Sequence, residues 1–431
     1  MSSVMPTGGL SLDQAPPLSI PAAFFLTIPI GILAAGCILI ATGAAALSTP
    51  WAPQTLALTH AGTLGVLAMG MVGALYQMTP VIAGTPVPFT RIAHIVQALL
   101  LAGLAGFIWR LLGGPVFAMS AAILCFTIAL LAFLLPLGWA LRRPGTNNET
   151  VQGMRLAVVS LAAVTLIGLI MARGYSGYGF PENRFLWMQI HLTLALLGWV
   201  GGLIMSVSWQ VIPMFYLAPA ASKTTMRWLF GLLLSGLLLP FVAIFTGDEI
   251  CDFLTPGQLA ALGALPAALV TWLIHPALIL RNISRRKRKR RDASLMFWKA
   301  GLVNALLLIP IAIVVLLLPE PRWQVLFGWV AIWGWAGMIM HGMLSRIVPF
   351  LVWFHRYSAR VGLEPVPSMR TLLPQQRIHF GFVLHLSSIV LGVAAILIQA
   401  DILAQFTGVV LIATAISLGS MLIHVLKRKS A

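Results

Sequence analysis

The feature that most restricts the fold of this chain is a series of twelve long apolar runs, separated by short polar, proline- or glycine-containing breaks. A helix needs about 20 mostly apolar residues to cross the hydrocarbon core of a bilayer. The runs cover residues 20–46, 55–83, 91–113, 115–141, 154–173, 184–217, 226–246, 257–280, 295–318, 323–354, 377–400 and 402–426. The pattern predicts an all-α integral membrane protein of about twelve transmembrane helices.

Composition supports the same class. Hydrophobic residues make up 59% of the chain and charged residues 9%, whereas soluble domains carry about a quarter charged residues. Spans of this length satisfy their backbone hydrogen bonds as helices rather than as a barrel. We expect a single membrane domain over residues 20–426, between a cytoplasmic tail of residues 1–19 and a basic cytoplasmic tail of residues 427–431. Spans six and ten are longer than one crossing and should tilt or protrude.

The basic residues predict the orientation of the chain. Of its 27 lysines and arginines, 23 fall in the even-numbered loops, at the adjoining span ends and at the C-terminus. The odd-numbered loops hold the other four, Arg110, Arg173, Arg184 and Arg322. Since cytoplasmic loops are enriched in Lys and Arg, we expect both termini in the cytoplasm and a multi-pass protein of a bacterial inner (cell) membrane. Most acidic residues fall on the opposite side: Glu182, Asp248, Glu249, Asp252, Glu320 and Asp401.

The net charge of +17 is concentrated rather than spread over a surface. Its densest part is the run Arg285–Arg291, in a short loop between two apolar runs. Such a loop is typical of an orientation signal that also contacts anionic lipids. We therefore predict anionic-lipid contact at residues 281–291 and no nucleic-acid partner.

The chain also contains an internal repeat. Spans two, six and ten end alike, in Tyr76-Gln77-Met78-Thr79-Pro80, Trp209-Gln210-Val211-Ile212-Pro213 and Ser345-Arg346-Ile347-Val348-Pro349. The prolines are 133 and 136 residues apart (80 to 213, and 213 to 349). This spacing predicts three four-helix repeats, over residues 20–141, 154–280 and 295–426, with pseudo-threefold symmetry. The alternative is that glycine and proline recur in any set of membrane helices.

Histidines are the main candidates for chemistry, because no Asp or Glu falls in mid-membrane. Intramembrane proton relays usually need carboxylates, so we expect no proton pumping. His60 precedes Pro80 by 20 residues and His191 precedes Pro213 by 22, so their depths differ by about 3 Å. Two imidazoles at one depth on neighbouring helices can hold a haem iron between them. His60 and His191 are therefore the candidate metal ligands.

The surroundings of these two histidines allow two interpretations. Glycines follow each of them and either leave room for a flat macrocycle or allow close helix packing. These glycines are Gly65, Gly70 and Gly73 after His60, and Gly198, Gly201 and Gly202 after His191. Haem propionates would require cations at the outer surface, where Arg110, Arg173 and Arg184 are the few available.

A second candidate site lies deeper. His341 sits in mid-span ten, about 12 residues or 18 Å below the other pair, so it cannot share their iron. His385 of span eleven is expected at the same depth and could join His341 and Arg346 in an inner site. A polar contact between helices is the alternative. Nearby methionines are copper ligands by type, but in an apolar chain with 18 methionines core packing is the safer interpretation. The remaining histidines are expected to be anchors at inner span ends or in a loop: His94, His275, His355, His379 and His424.

These motifs resemble the haem–copper oxidase subunit I superfamily, including nitric oxide reductases, and the related NnrS-type membrane haem proteins. The stretch His60-Ala61-Gly62-Thr63-Leu64-Gly65, continuing to Leu75-Tyr76 and Pro80, is similar to the reductase helix that supplies a low-spin haem ligand. The resemblance implies three four-helix arcs, haem b and His60 as an axial ligand. His191 falls at the sixth-helix position, which supplies a copper ligand in the oxidases.

The chain departs from that superfamily at its copper centre. Span seven contains no histidine, span ten has a single His341 instead of His-x-His, and no glutamate follows His191. The resemblance therefore implies a b-type haem protein with an electron-transfer, gas-binding or nitric-oxide-stress role. An oxidoreductase activity would agree with it, and bound copper is a weaker expectation. A quinol-oxidising subunit serving a redox partner is another interpretation. A transporter or metal-handling protein without haem is the alternative from a different class.

Overall fold

The structure, a computed structural model, describes residues 14–143, 145–245, 254–287, 289, 292–318 and 320–428. Several predicted features lie wholly or partly outside the described residues. They are most of the N-terminal tail, the acidic residues Asp248, Glu249 and Asp252, the basic residues Arg288, Arg290 and Arg291, and the tail from residue 429 onward.

Among the described residues, twelve helices are long and apolar enough to cross a bilayer. They are α1 (Ser19–Leu47), α2 (Pro53–Ala83), α3 (Thr90–Leu111), α4 (Val116–Arg142), α5 (Glu149–Ser176), α6 (Arg184–Tyr216), α7 (Lys223–Ile244), α8 (Leu265–Ser284), α9 (Ala293–Leu317), α10 (Pro321–Arg360), α11 (Gln375–Ile398) and α12 (Asp401–Lys427). The prediction of an all-α, multi-span membrane protein is confirmed, and the chain belongs in a lipid bilayer.

The eighth span differs from its prediction. The sequence predicts one helix over residues 257–280, but the structure has a short helix, Pro256–Gly263, before α8 begins at Leu265. Pro266 lies at the start of α8. A proline lacks the backbone N–H and its ring crowds the preceding turn, so the continuous apolar run is divided at this point.

The chain forms two compact units, which are described one at a time. The first unit comprises Met1–Pro21, Met71–Gly103 and Met119–Arg288. The second unit comprises Ala22–Gly70, Leu104–Ala118 and Lys289–Ala431. The organisation into three four-helix repeats with pseudo-threefold symmetry stays a prediction.

One backbone feature recurs in α2, α6 and α10, the helices that carry the repeated motif. Each contains a π-helical segment: Thr63–Ala68, Thr193–Gly201 and Val330–Gly337. The segments end 12 residues before the repeated prolines (68 to 80, 201 to 213, 337 to 349). π-Helical turns are rare and occur frequently at functional sites. Since α8 also contains a π-helical segment, Val270–Ile274, the likeness of the three spans lies in the shared distance to the proline rather than in the segment itself.

Glycines set the closest helix contacts within each unit. In the second unit, a Cβ on Gly31 would lie 2.5 Å from the backbone carbon of Gly65. In the first unit, a Cβ on Gly236 of α7 would lie 2.2 Å from the backbone nitrogen of Ala267 in α8. Because lipid tails provide no hydrophobic drive for helices to associate, such backbone-to-backbone packing is a main source of their stability.

Candidate functional site

His60 lies in the N-terminal half of α2, in the second unit, three residues before the π-helical segment that begins at Thr63. Its ring is partly buried, and Nδ1 is 2.8 Å from the carbonyl oxygen of Leu56, one turn earlier. A carbonyl can only accept, so Nδ1 carries the proton. In the neutral ring, Nε2 is then the nitrogen with a free lone pair. The ring also packs against Phe107, with centroids 4.8 Å apart.

The glycines that follow His60 lie against neighbouring helices of the same unit. A Cβ on Gly62 would be 2.7 Å from Ile332 and 3.2 Å from the ring of Trp333, both in α10. A Cβ on Gly70 would be 2.5 Å from the sulfur of Met340. At these positions the structure has close helix packing, which was one of the two interpretations of the sequence.

His191 belongs to the first unit. It lies in α6, two residues before the π-helical segment that begins at Thr193. Its partly buried ring packs on α5, where a Cβ on Gly168 would be 3.0 Å from Cε1. The sharing of one iron by His60 and His191 stays a prediction.

The glycines after His191 also face helices of their own unit. A Cβ on Gly198 would be 2.5 Å from the hydroxyl of Ser160 in α5, and one on Gly201 would be 2.5 Å from the Thr271 methyl in α8. The buried hydroxyl oxygen of Thr271 has no hydrogen-bond partner among the described residues. Helix packing therefore accounts for these glycines as well.

Arg184, the candidate propionate partner, is held by aromatic residues at the N-terminal end of α6. Its Nη2 donates to the hydroxyl oxygen of Tyr175 at 3.1 Å. Its guanidinium carbon lies 3.8 Å from the ring centroid of Phe180. These contacts hold a cation beside the first turn of the helix that carries His191. A role for Arg184 in cofactor binding stays a prediction.

His341 and His385 are in direct contact within the second unit. Both rings are 3% exposed, and their Nδ1 atoms are 3.1 Å apart. Nε2 of His385 is 3.1 Å from the carbonyl oxygen of Trp333, in the π-helical segment of α10. Phe297 of α9 covers the pair, with its ring centroid 4.5 Å from that of His341. The equal depth expected from the sequence is thus realised as a hydrogen bond between α10 and α11.

These contacts define the protons of the neutral pair. Because the carbonyl of Trp333 accepts, Nε2 of His385 carries a proton and Nδ1 of that ring has the lone pair. Nδ1 of His341 therefore donates to it, which leaves Nε2 of His341 unprotonated. That nitrogen faces α11, where a Cβ on Gly381 would lie 3.2 Å away. Trp333 was not singled out in the sequence, since a backbone carbonyl has no sequence signature.

Arg346, in the second half of α10, forms an ion pair within the same unit. Its Nη1 is 3.2 Å from Oδ2 of Asp292, and the two side chains are 21% and 10% exposed. Asp292 also caps α9 by accepting from the backbone nitrogen and hydroxyl of Ser294, at 3.1 and 2.7 Å. The sequence placed Arg346 with the histidine pair but did not identify Asp292 as its partner.

His275 is a buried residue rather than an interfacial anchor. It is 2% exposed in the first unit, and its Nε2 is 2.8 Å from the hydroxyl of Ser208 in α6. The Ser208 hydroxyl donates to the carbonyl of Met205, so His275 donates to Ser208. Thr271, one turn earlier on α8, also faces α6, and this spacing was the available sequence signal. The exposed rings of His94, His355 and His379 fit the predicted anchoring role.

The residues offer two kinds of metal-binding chemistry. His60 fits an axial haem ligand, since metal-bound histidines usually donate their other ring N–H to a carbonyl. The paired His341 and His385 offer two converging nitrogens. In the part of the chain that the structure describes, no three His, Cys, Asp or Glu side chains gather as they would around a metal ion. A closed structural zinc site has no support there.

Comparison with protein-family models gives no match for this chain, and comparison with curated proteins gives none either.

Proposed function

We propose that this chain is a membrane b-type haem protein, related to the respiratory oxidase and nitric oxide reductase core. Its role would be electron transfer, gas binding or nitric-oxide stress response, without proton pumping. The observation that carries the proposal is the hydrogen bond from Nδ1 of His60 to the carbonyl of Leu56. It fixes the ring and presents Nε2 for an axial bond to iron. When bound, haem b supplies a redox-active iron that also binds small gases.

The position of His60 supports this role. It lies three residues before the π-helical segment of α2, and such segments concentrate at functional sites. His191 precedes the corresponding segment of α6, and we propose it as the second ligand. Arg184, at the start of that helix, is proposed as a cation for a propionate.

The membrane placement follows from charge. We propose a bacterial inner membrane with both termini in the cytoplasm, because the inner loops hold most of the Lys and Arg residues. The basic loop at residues 281–291 would contact anionic lipid headgroups, where each nearby cation contributes about 1 kcal/mol. A quinol or a protein redox partner would supply electrons.

Absorption spectroscopy of the purified full-length chain tests the haem proposal. We expect a Soret band, a reduced α-band and a pyridine haemochrome spectrum typical of haem b. His60→Ala should lower the bound haem at least about tenfold, since even outer-shell partners of metal ligands matter by about 10- to 100-fold. His191→Ala should also lose the native spectrum.

The matched control is His94→Ala, which removes an exposed imidazole and should leave the spectrum unchanged. A wild-type spectrum in both His60→Ala and His191→Ala would show that the ligands are wrong. A colourless wild-type preparation, expressed with haem synthesis intact, would reject haem altogether.

The helix packing at Gly62, Gly65 and Gly70 favours a second candidate function, a metal-handling or transport protein without haem. In that case the helices pack directly on one another and the histidines bind metal themselves. Metal analysis alongside the haemochrome measurement separates the two. Stoichiometric iron with haem supports the first, and bound copper in a colourless protein supports the second.

A further inference from the structure

His341 and His385 form a polar pair that the proposed haem site does not use. Their Nδ1 atoms face one another at 3.1 Å in a buried position of the second unit. We propose that the two Nδ1 atoms bind one monovalent copper ion, Cu(I), in place of the proton they now share. The proposal concerns residues other than His60 and His191 and holds whether or not haem is bound.

The geometry is close to that of a two-coordinate metal site. An imidazole nitrogen lies about 2.0 Å from a late transition-metal ion such as zinc. A linear site therefore requires the two nitrogens to move apart by about 1 Å. Each ring lies beside a glycine: a Cβ on Gly381 would be 3.2 Å from His341, and a Cβ on Gly337 would be 3.7 Å from His385. A Cβ on Gly381 would crowd His341, so the missing side chain is what admits that ring between α10 and α11.

The hydrogen bonds already orient His385 as a ligand. Its Nε2–H donates to the carbonyl of Trp333 at 3.1 Å, which is the usual outer-shell partner of a metal-bound histidine. Its Nδ1 lone pair is thereby aimed at His341. On binding, His341 moves its proton from Nδ1 to Nε2, on the side of Gly381 and the Ser417 hydroxyl. The two imidazoles stay neutral, no proton is released, and the site gains one positive charge.

The charge and the ligand number select the ion. The cost of removing an ion from water rises with the square of its charge, so a monovalent ion costs about a quarter as much as a divalent one. Zinc takes about four ligands, whereas here only two imidazoles converge and no third His, Cys, Asp or Glu of the described chain joins them. The aromatic ring of Phe297 lies beside both histidines, with its centroid 4.5 Å from that of His341 and 6.3 Å from that of His385.

This site is distinct from the copper centre of the superfamily that the sequence resembles. That centre uses a histidine pair in the seventh helix, and α7 contains no histidine in this chain. The inference therefore rests on the contact between α10 and α11.

Anaerobic Cu(I) titration of the full-length protein, in competition with a chromogenic Cu(I) chelator, tests the proposal. We expect one high-affinity Cu(I) per chain. His341→Gln and His385→Gln should each weaken binding by about a hundredfold or more, the upper range reported even for outer-shell changes. His379→Gln, which changes an exposed ring on the same helix, should keep the affinity. His60→Ala should also keep it, so failure of the haem proposal and failure of this one are distinguishable.

X-ray absorption at the copper edge of the wild-type protein gives a second readout that does not depend on variants. Two nitrogen neighbours with imidazole outer-shell scattering are expected. Sulfur scattering would place the copper on methionines and overturn the proposal. So would equal Cu(I) uptake by the wild type and by a His341→Gln/His385→Gln double variant. If a variant elutes as an aggregate in size-exclusion chromatography, the X-ray absorption spectrum of the wild-type protein decides whether histidine nitrogens bind the copper.

Discussion

Gly236→Val is expected to remove most of the folded protein, whereas Gly231→Val on the same helix leaves it folded. A Cβ on Gly236 would lie 2.2 Å from the backbone nitrogen of Ala267 and 2.7 Å from its Cβ. Because the obstacle is backbone, α7 and α8 must separate to make room. Overpacking costs about 1–3 kcal/mol or more, and valine at a backbone contact should reach or exceed the upper value.

Gly231 provides the matched control. It is exposed on the same helix, and a Cβ there meets nothing within 4 Å. Valine is slightly the better helix former of the two residues, so its effect should be neutral or mildly stabilising. Fluorescence-detected size-exclusion chromatography and thermal unfolding in one detergent measure both variants. Equal melting temperatures for the two would contradict the close approach of α7 and α8.

Asp292→Ala is expected to destabilise the second unit by about 3 kcal/mol, the lower end of the cost of leaving one partner of a buried ion pair unmatched, because this pair is only partly buried. Asp292 and Arg346 are 10% and 21% exposed, so water cannot fully replace the lost carboxylate. The same change removes the N-cap of α9, where the Asp292 side chain accepts a hydrogen bond from the backbone nitrogen of Ser294. Losing this cap should cost about 1 kcal/mol more. The free energy of unfolding, measured by denaturant titration in mixed micelles, tests this.

Two variants separate the charge from the cap. Asp292→Asn keeps a good N-cap residue but loses the charge, and should recover part of the loss. Adding Arg346→Gln should then restore most of the remainder, because Gln77 and Gln210 occupy the corresponding positions of the repeated motif. Arg227→Ala serves as an exposed control, because it breaks the ion pair of Arg227 with Glu149 and the Arg227 side chain is 71% exposed. It should lower the free energy of unfolding by less than about 1 kcal/mol. An Asp292→Ala effect as small as that control would show that the buried pair does not stabilise the unit.

The contact of His341 with His385 shows how far sequence reasoning reaches inside a membrane. Counting residues from span ends predicts their similar depth, because a helix advances by a fixed rise per residue. Depth does not specify which face of each helix carries the ring. The 3.1 Å contact depends on the rotation of both helices about their axes, and that rotation is set by packing.

His275 illustrates the opposite outcome. Its position near the end of an apolar run predicts an interfacial anchor, yet the ring is 2% exposed and hydrogen-bonded to Ser208. The sequence of an apolar span does not indicate which side of the helix faces protein and which side faces lipid, because both surroundings favour similar residues. The glycines after His60 and His191 were ambiguous for the same reason.

The sequence by itself determined the class and the span layout, because crossing a bilayer depends on the length and apolarity of a segment and on little else. Only the tertiary structure decided the break before α8, the partners of Asp292 and His385, and the use of glycines as helix contacts. Each of those depends on which atoms of distant segments meet, and polar partners buried among apolar helices are chosen by geometry rather than by composition.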